Sequence, residues 1–155
     1  IVLIFKDNIK LLSNIDETIL INLHCNLEKI MLNSDQEQLS RVFFNLIKNS
    51  IESIQQKSDD NKGFIKKISV EINKLDNQIN IIIIDNGIGF GIFADNIKDI
   101  INPYFTTKKN GTGLGLSIVS KIINDHNGKI EFIPIDNGAK VSIDFKLDGI
   151  RNINS

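Results

Sequence analysis

The residues predict an α+β domain, and three observations carry that prediction. The chain has 155 residues, a single domain at roughly 150 residues each. Two segments, about Ser34 to Lys57 and about Gly113 to His126, place apolar residues at helical spacing. Around them lie short isoleucine-rich runs with the alternation or the density of strands.

Composition excludes several functions. Eighteen Lys and Arg against nineteen Asp and Glu leave a formal net charge of -1, so no basic excess recruits a nucleic-acid backbone. Apolar runs such as Ile81–Ile84 fall far short of the roughly 18 residues of a membrane span, and no direct membrane contact is expected. With 41% hydrophobic residues, a chain this long buries about two-thirds of its unfolded surface. Cys25 is alone, which excludes an internal disulfide and a paired-cysteine zinc site and fits a reducing compartment. The chain opens on Ile1 without a signal-peptide pattern and reads as a piece of a longer protein.

Taken in order, Ile1–Leu12 is apolar with Lys6, Asp7 and Lys10 interspersed, and its pattern assigns no element. Thr18–Asn26 alternates as a half-buried strand, and a short strand near Lys29–Leu32 would complete a hairpin. Ser34, three residues before Glu37, has the spacing of a capping box. The helix it opens runs to about Lys57, with Leu39, Val42, Phe43, Leu46, Ile47 and Ile54 on its buried side. Strands Ile65–Asn73 and Gln78–Ile84 follow, joined at Leu75-Asp76-Asn77; the second is dense enough in isoleucine to be covered on both faces. A short helix is expected near Asp95–Ile101, then irregular chain from Asn102 to Gly111. The second long helix ends at Asn127-Gly128, with the glycine at C′. Lys129–Pro134 and Lys140–Lys146 close the chain as a hairpin around Asp136-Asn137-Gly138.

Three features ask for more than structure. Asn45 and Asn49 are four apart on one helical face, each at about 0.5 kcal/mol of helix propensity. They border an apolar stripe, and an amide oxygen is a hard donor suited to Mg²⁺. The tripeptide Asp-Asn-Gly occurs at Asp85–Gly87 and at Asp136–Gly138. The second copy fits a tight hairpin turn, whereas the first is followed by Gly89 and Gly91 and no returning strand. Gly87 and Gly89 would let a flat ligand approach the backbone, and Asp85 could accept a hydrogen bond from an exocyclic amine such as that of adenine. Finally, Gly111-Thr112-Gly113-Leu114-Gly115-Leu116 leads into the second helix. Helix N-termini attract anions, and glycines let phosphates lie against the backbone. The spacing is neither that of a dinucleotide fold nor that of a P-loop. Upstream, Pro103–Asn110 is rich in hydroxyls and charge, the composition of a lid, with Lys108 to neutralise phosphate.

Together these residues resemble the catalytic and ATP-binding domain of bacterial sensor histidine kinases, in the GHKL superfamily with gyrase B, the MutL repair proteins and heat-shock chaperone ATPases. Asn45–Ser50 resembles the N box, Asp85–Gly89 the G1 box, Pro103–Lys108 the F box and Gly111–Leu116 the G2 box. The match covers roughly Leu20 to Phe145, and the Thr-Thr-Lys of the short lid is most similar to the nitrogen-regulation sensors of the NtrB and NtrY type. The resemblance implies a two-layer α/β sandwich (the Bergerat fold), a mixed sheet of about five strands under about three helices. It makes residues 18–148 the catalytic domain, 1–17 a lead-in from a dimerisation region and 149–155 a tail.

It also implies roles. Asn49 would be the main Mg²⁺ ligand, with Asn45 assisting. Asp85 would read the adenine amine, with room left by Gly87 and Gly89. Thr107, Lys108 and the backbone of Gly111, Thr112, Gly113, Leu114, Gly115 and Leu116 would hold the phosphates of ATP. Relatives that hydrolyse ATP carry glutamate where this chain has Asn45; an amide takes no proton, so ATP would be kept for a histidine. Neither His24, which lacks an acidic neighbour, nor His126, a helix-end residue favoured there if charged, resembles the phosphoacceptor. That histidine, on a dimerisation domain of the same protein, would lie outside this chain, so autophosphorylation by the chain alone is not expected. A response-regulator receiver domain would act downstream, in the cytoplasm. Glu52, where many relatives place Lys or Arg, and Lys146-Leu147-Asp148, where many end in Leu-Pro, depart from the pattern. The alternatives are an ATPase whose cycle drives a conformational change, against which Asn45 argues, and a nucleotide-binding scaffold without catalysis, against which the intact motifs argue.

Overall fold

The computed structural model describes residues 1–26, 32, 34–58, 63–90, 97–104 and 113–147. In chain order these form α1 (Val2–Leu12), β1 (Leu20–Cys25), α2 (Gln36–Ser58), β2 (Lys67–Leu75), β3 (Gln78–Asp85), α3 (Gly115–Asp125), β4 (Gly128–Ile135) and β5 (Gly138–Lys146). The strands make one sheet in the order β1-β2-β3-β5-β4. Its β1–β2 pair is parallel and the other three are antiparallel. The helices pack on the sheet, α1 against β1, α2 against β2 and β3, and α3 against β4. This is the expected two-layer sandwich, with three helices and a mixed five-stranded sheet.

The period-two pattern of the strands decides which side chains meet the helices. Ile68, Val70 and Ile72 of β2, Ile79, Ile81 and Ile83 of β3, and Val141, Ile143 and Phe145 of β5 are buried together. The intervening residues of β3, Ile82 and Ile84, are half-buried on the other face, beside Glu71 and Ser69 of β2 and Ser142 and Lys140 of β5. The isoleucine run is therefore an alternating strand at the centre of a sheet covered by helices on one face, not a strand covered on both. The neighbouring polar stems supply the partial cover.

The first twelve residues, which no pattern assigned, form α1. Val2, Phe5 and Leu12 follow helical spacing and are buried with Ile4, and Phe5 stacks on Phe43 of α2 with ring centroids 3.9 Å apart. Asn8 lies within that stripe, its amide donating to Ile4 O at 2.9 Å and to Ser40 Oγ at 3.1 Å. A buried amide satisfied twice costs little.

Several boundaries differ from expectation. α2 is capped by Asp35 rather than Ser34, because Asp35 Oδ1 accepts the Gln38 N–H at 3.0 Å. Its Oδ2 accepts the Gln38 side-chain amide at 3.2 Å, so the helix starts one residue later than the serine–glutamate spacing suggests and without the reciprocal bond of a capping box. β1 pairs with β2; the hairpin expected with Lys29–Leu32 falls mostly outside the described residues. The helix expected near Asp95–Ile101 is described from residue 97 as a 3₁₀ turn over 97–101, anchored by buried Ile100. At the end of α3 the left-handed position is filled by Asn127 (φ 54°), not Gly128. Asparagine tolerates that conformation, and Gly128 is needed instead because a Cβ there would press on the Phe145 ring.

Candidate functional site

The site is built where the C-terminal end of β3 meets α2. Because Asp85 continues the Ile79, Ile81, Ile83 alternation, its side chain lies on the helix-covered face, 5% exposed. Its Oδ1 accepts the Gly87 N–H at 2.9 Å, and the Ser50 hydroxyl and the Ala139 N–H also bond to the carboxylate. Burial pushes its carboxyl above the ordinary carboxylate range, while those hydrogen bonds and the charge of Lys57 pull it back down. The result is a buried acceptor with its orientation fixed, suited to a hydrogen-bond donor on a flat ligand.

The chain leaves β3 through a turn pinned on two sides. Toward the sheet, Asn86 donates from its amide to Ile65 O at 2.7 Å and accepts the Lys67 N–H at 2.9 Å. Toward α2, the Ile88 N–H reaches Ser53 O at 3.3 Å. Lys57 Nζ donates to Asn86 O at 2.8 Å and to Gly87 O at 3.1 Å. Gly87 is buried against α2, where a Cβ would collide with Ser53. Gly89 has φ 71°, and a Cβ there would collide with the carbonyl of Gly138. Gly138 in turn lies against the backbone of Asp85. The first Asp-Asn-Gly is thus a pinned turn at a strand end and the second a two-residue hairpin turn, as their flanks suggest. The second copy also packs its glycine on the first.

On α2, Asn45, Asn49, Ser53 and Lys57 follow one another at intervals of four, a ridge that winds slowly round the helix. Asn45 and Asn49 are half-buried. Ser50, next in sequence to Asn49, is the residue bonded to Asp85, so the helix that carries the two asparagines also supplies a partner of the carboxylate. Glu52 is on the outer side, 3.9 Å from Lys48 Nζ, a surface pair of small energetic weight. Among the described residues no group of three or more His, Cys, Asp or Glu side chains is arranged to hold a metal ion.

The first residues of α3 come from the glycine-rich segment. Leu114 stands at the N-cap, and among the described residues no side-chain cap hydrogen bond is made there; the positive end of the helix dipole lies at this terminus. Around Gly115 nothing among the described residues lies within 4 Å of where a Cβ would stand. Gly113 (φ 68°) accepts the Tyr104 N–H at 2.9 Å through its carbonyl, and a Cβ on it would collide with the Tyr104 backbone. Leu116 is half-buried against the core. Thr107, Lys108, Gly111 and Thr112 lie outside the described residues.

The two histidines are away from this cluster. His24 is exposed on the far face of β1, opposite Glu71. His126 accepts the Asp35 N–H through Nε2 at 3.1 Å and bonds Ile122 O through Nδ1 at 2.8 Å. That pairing corresponds to the tautomer with the hydrogen on Nδ1. Sequence reasoning missed Ser50, Lys57 and Asn86 as parts of the site. Ser50 falls inside the N-box segment, and Lys57 continues the interval of four from Asn49, which is the signal that could have found it.

The profile of the histidine kinase-, DNA gyrase B- and HSP90-like ATPase family matches residues 34–149. The nitrogen regulation protein NtrY of Azorhizobium caulinodans is 37% identical over 117 residues, 74% of this chain and 15% of that protein. A sensor histidine kinase of NtrY-like type from Rickettsia bellii is 34% identical over 143 residues, 92% of this chain and 22% of its own length. The chain thus corresponds to less than a quarter of either relative. Among solved structures, the nucleotide-free catalytic domain of the histidine kinase ThkA superposes with a TM-score of 0.77 at 27% identity, covering 92% of this chain and 90% of that one. With the profile spanning three-quarters of its residues and the same architecture in a solved catalytic domain, the chain belongs to the histidine kinase-, DNA gyrase B- and HSP90-like ATPase family.

Proposed function

We propose that this chain is the ATP-binding catalytic domain of a sensor histidine kinase, passing the γ-phosphoryl group of ATP to a histidine outside the chain. The observation that carries this reading is the packing of the turn after Asp85 on α2, through Lys57 Nζ to Asn86 O and Gly87 O and Ile88 N–H to Ser53 O, which joins the base-reading carboxylate to the helix that bears Asn45 and Asn49. Asp85 accepts the exocyclic amine of adenine, while Gly87 and Gly89 let the turn after it pack closely on Ser53 and Gly138 and so keep the carboxylate in place. Asn49, assisted by Asn45, offers amide oxygens to Mg²⁺, which takes one or two such protein ligands beside phosphate oxygens. Bound there, the ion would neutralise charge on the phosphates. The N-terminus of α3, from Gly113 to Leu116, would meet the phosphates with its amides, and the family resemblance gives Thr107, Lys108, Gly111 and Thr112 the same task.

What the site lacks chemically also fits. Phosphoryl transfer needs positioning and charge stabilisation more than covalent help, and a neutral imidazole needs no base to become a nucleophile. Water does, and Asn45 takes no proton. Slow hydrolysis and efficient transfer follow. The catalytic unit runs from residue 18 to 148 in this reading, with α1 packed on it. It works with a histidine-bearing dimerisation domain of the same protein, its phosphoryl group passing on to a response-regulator receiver domain, in the cytoplasm where ATP and Mg²⁺ are supplied. Calorimetry with Mg²⁺ and ATP tests the core of this. One nucleotide is expected to bind per chain, with its Mg²⁺-dependent part lost in Asn49→Ala; binding that is indifferent to Asn49 would contradict it.

A further inference from the structure

We propose that Lys57 is a positioning residue for base recognition: its ammonium holds the Asp85–Gly89 turn against α2 and so sets where the Asp85 carboxylate meets adenine. This rests on the ATP-site reading above and adds to it a residue outside the four motifs.

Lys57 lies in the last turn of α2, where a lysine ordinarily extends into water with its stem along the surface. Here it is half-buried and turned onto the site. Nζ stands 2.8 Å from Asn86 O and 3.1 Å from Gly87 O, and 5.0 Å from the centroid of the Phe64 ring. The aromatic face attracts the cation from one side while the two carbonyls accept from it on another. Hydrogen bonds with an ionised donor are roughly twice as strong as neutral ones.

The two carbonyls belong to the residues that follow Asp85, and the Gly87 N–H is the donor that orients Asp85 Oδ1 at 2.9 Å. A continuous path therefore runs from Lys57 through the Gly87 peptides to the carboxylate. Asn86 pins the same turn, but only to the β2 side through Ile65 O and Lys67 N–H. On the α2 side the Ser50 hydroxyl meets the Asp85 carboxylate itself, while the backbone of the turn is otherwise reached, among the described residues, by Ile88 N–H to Ser53 O, at 3.3 Å a long one. Lys57 is thus the charged tie between the backbone of the turn and the helix that carries Asn45 and Asn49. Through it the distance between base-reading and phosphate-reading residues is held.

The test compares ATP with purine riboside triphosphate, which lacks the exocyclic amine, each with Mg²⁺ and titrated by calorimetry into the whole chain. The parent is expected to prefer ATP. In Lys57→Met, which keeps the stem over Phe64 but no donor, ATP affinity is expected to fall about tenfold while the analogue binds as before, so the preference collapses. Lys57→Arg restores it. An equal loss for both nucleotides, or no loss for either, would overturn the proposal, since general weakening of the fold does not sense the amine. A parent that binds both nucleotides alike would overturn base reading by Asp85 itself, and the Lys57 proposal with it. Should Lys57→Met not fold, Lys57→Gln is measured instead and judged by the same ratio.

Discussion

Asp85 is a carboxylate taken out of water and then steadied by four donors and charges, Gly87, Ser50, Ala139 and Lys57. Burial prevails, so its carboxyl is raised, and the folded chain holds the proton at a pH where the unfolded chain has released it. The sign is that ionised Asp85 costs the fold stability as pH rises past the ordinary carboxylate value, and in the proposed site the ionised form is the one that would read the amine. ATP affinity measured by calorimetry is therefore expected to fall on acidification at a pH above the usual aspartate range. Asp85→Asn should remove that dependence and weaken ATP by about a hundredfold, the roughly 2–3 kcal/mol of a hydrogen bond to a charged acceptor. Asp16 behaves oppositely. The Thr18 hydroxyl and then the Lys66 ammonium, 2.9 Å away, hold its carboxyl well below the ordinary range. The stability it contributes is present above an ordinary carboxylate value near 3.8 and is lost as pH falls toward the depressed one. Asp16→Asn should cost about 1–2 kcal/mol at pH 7, a deficit that shrinks in urea titrations repeated at pH 3.

At the scale of elements, the start of α2 and the end of α3 share one device. Asp35 caps α2, and its own N–H is received by His126, which bonds back to α3 through Ile122 O. Asp35→Ala should cost about 1 kcal/mol as a lost cap and His126→Ala a similar amount as a lost hydrogen bond. Because His126 receives the main-chain N–H of residue 35, which Asp35→Ala keeps, the two variants remove different bonds and the double variant should lose about their sum, which urea unfolding of the three variants checks. Such ties between distant segments are illegible in sequence, since Asp35 and His126 are 91 residues apart. The helices α2 and α3 were legible because their apolar period is uninterrupted. α1 was not, because exposed Leu3 and Leu11 and buried Asn8 blur its stripe. β3 was legible as a strand but not in its surroundings, since isoleucine on both faces hides an alternation that only its neighbours reveal.

For the whole molecule, the order of motifs along the chain points to the proposed site, which would draw on three separate elements. In that reading the end of β3 would bring Asp85, α2 would bring Asn45 and Asn49, and α3 would bring Gly113–Leu116. Those residue types were readable because each is costly where it stands: a buried carboxylate, two amides beside an apolar stripe, glycines in a helix start. Ser50, Lys57 and Asn86 were not, because serine, lysine and asparagine are ordinary at a helix surface or a turn, and only the packing of β3 on α2 gives them partners. The central claim is that this assembly spends ATP on a histidine and not on water. It is tested most directly by mixing the chain with the histidine-bearing dimerisation segment of the same protein and γ-labelled ATP, and following acid-labile protein phosphate and free phosphate together. The account predicts label on a histidine, with little free phosphate, and its loss in Asn49→Ala; rapid release of free phosphate with no labelled protein would contradict it.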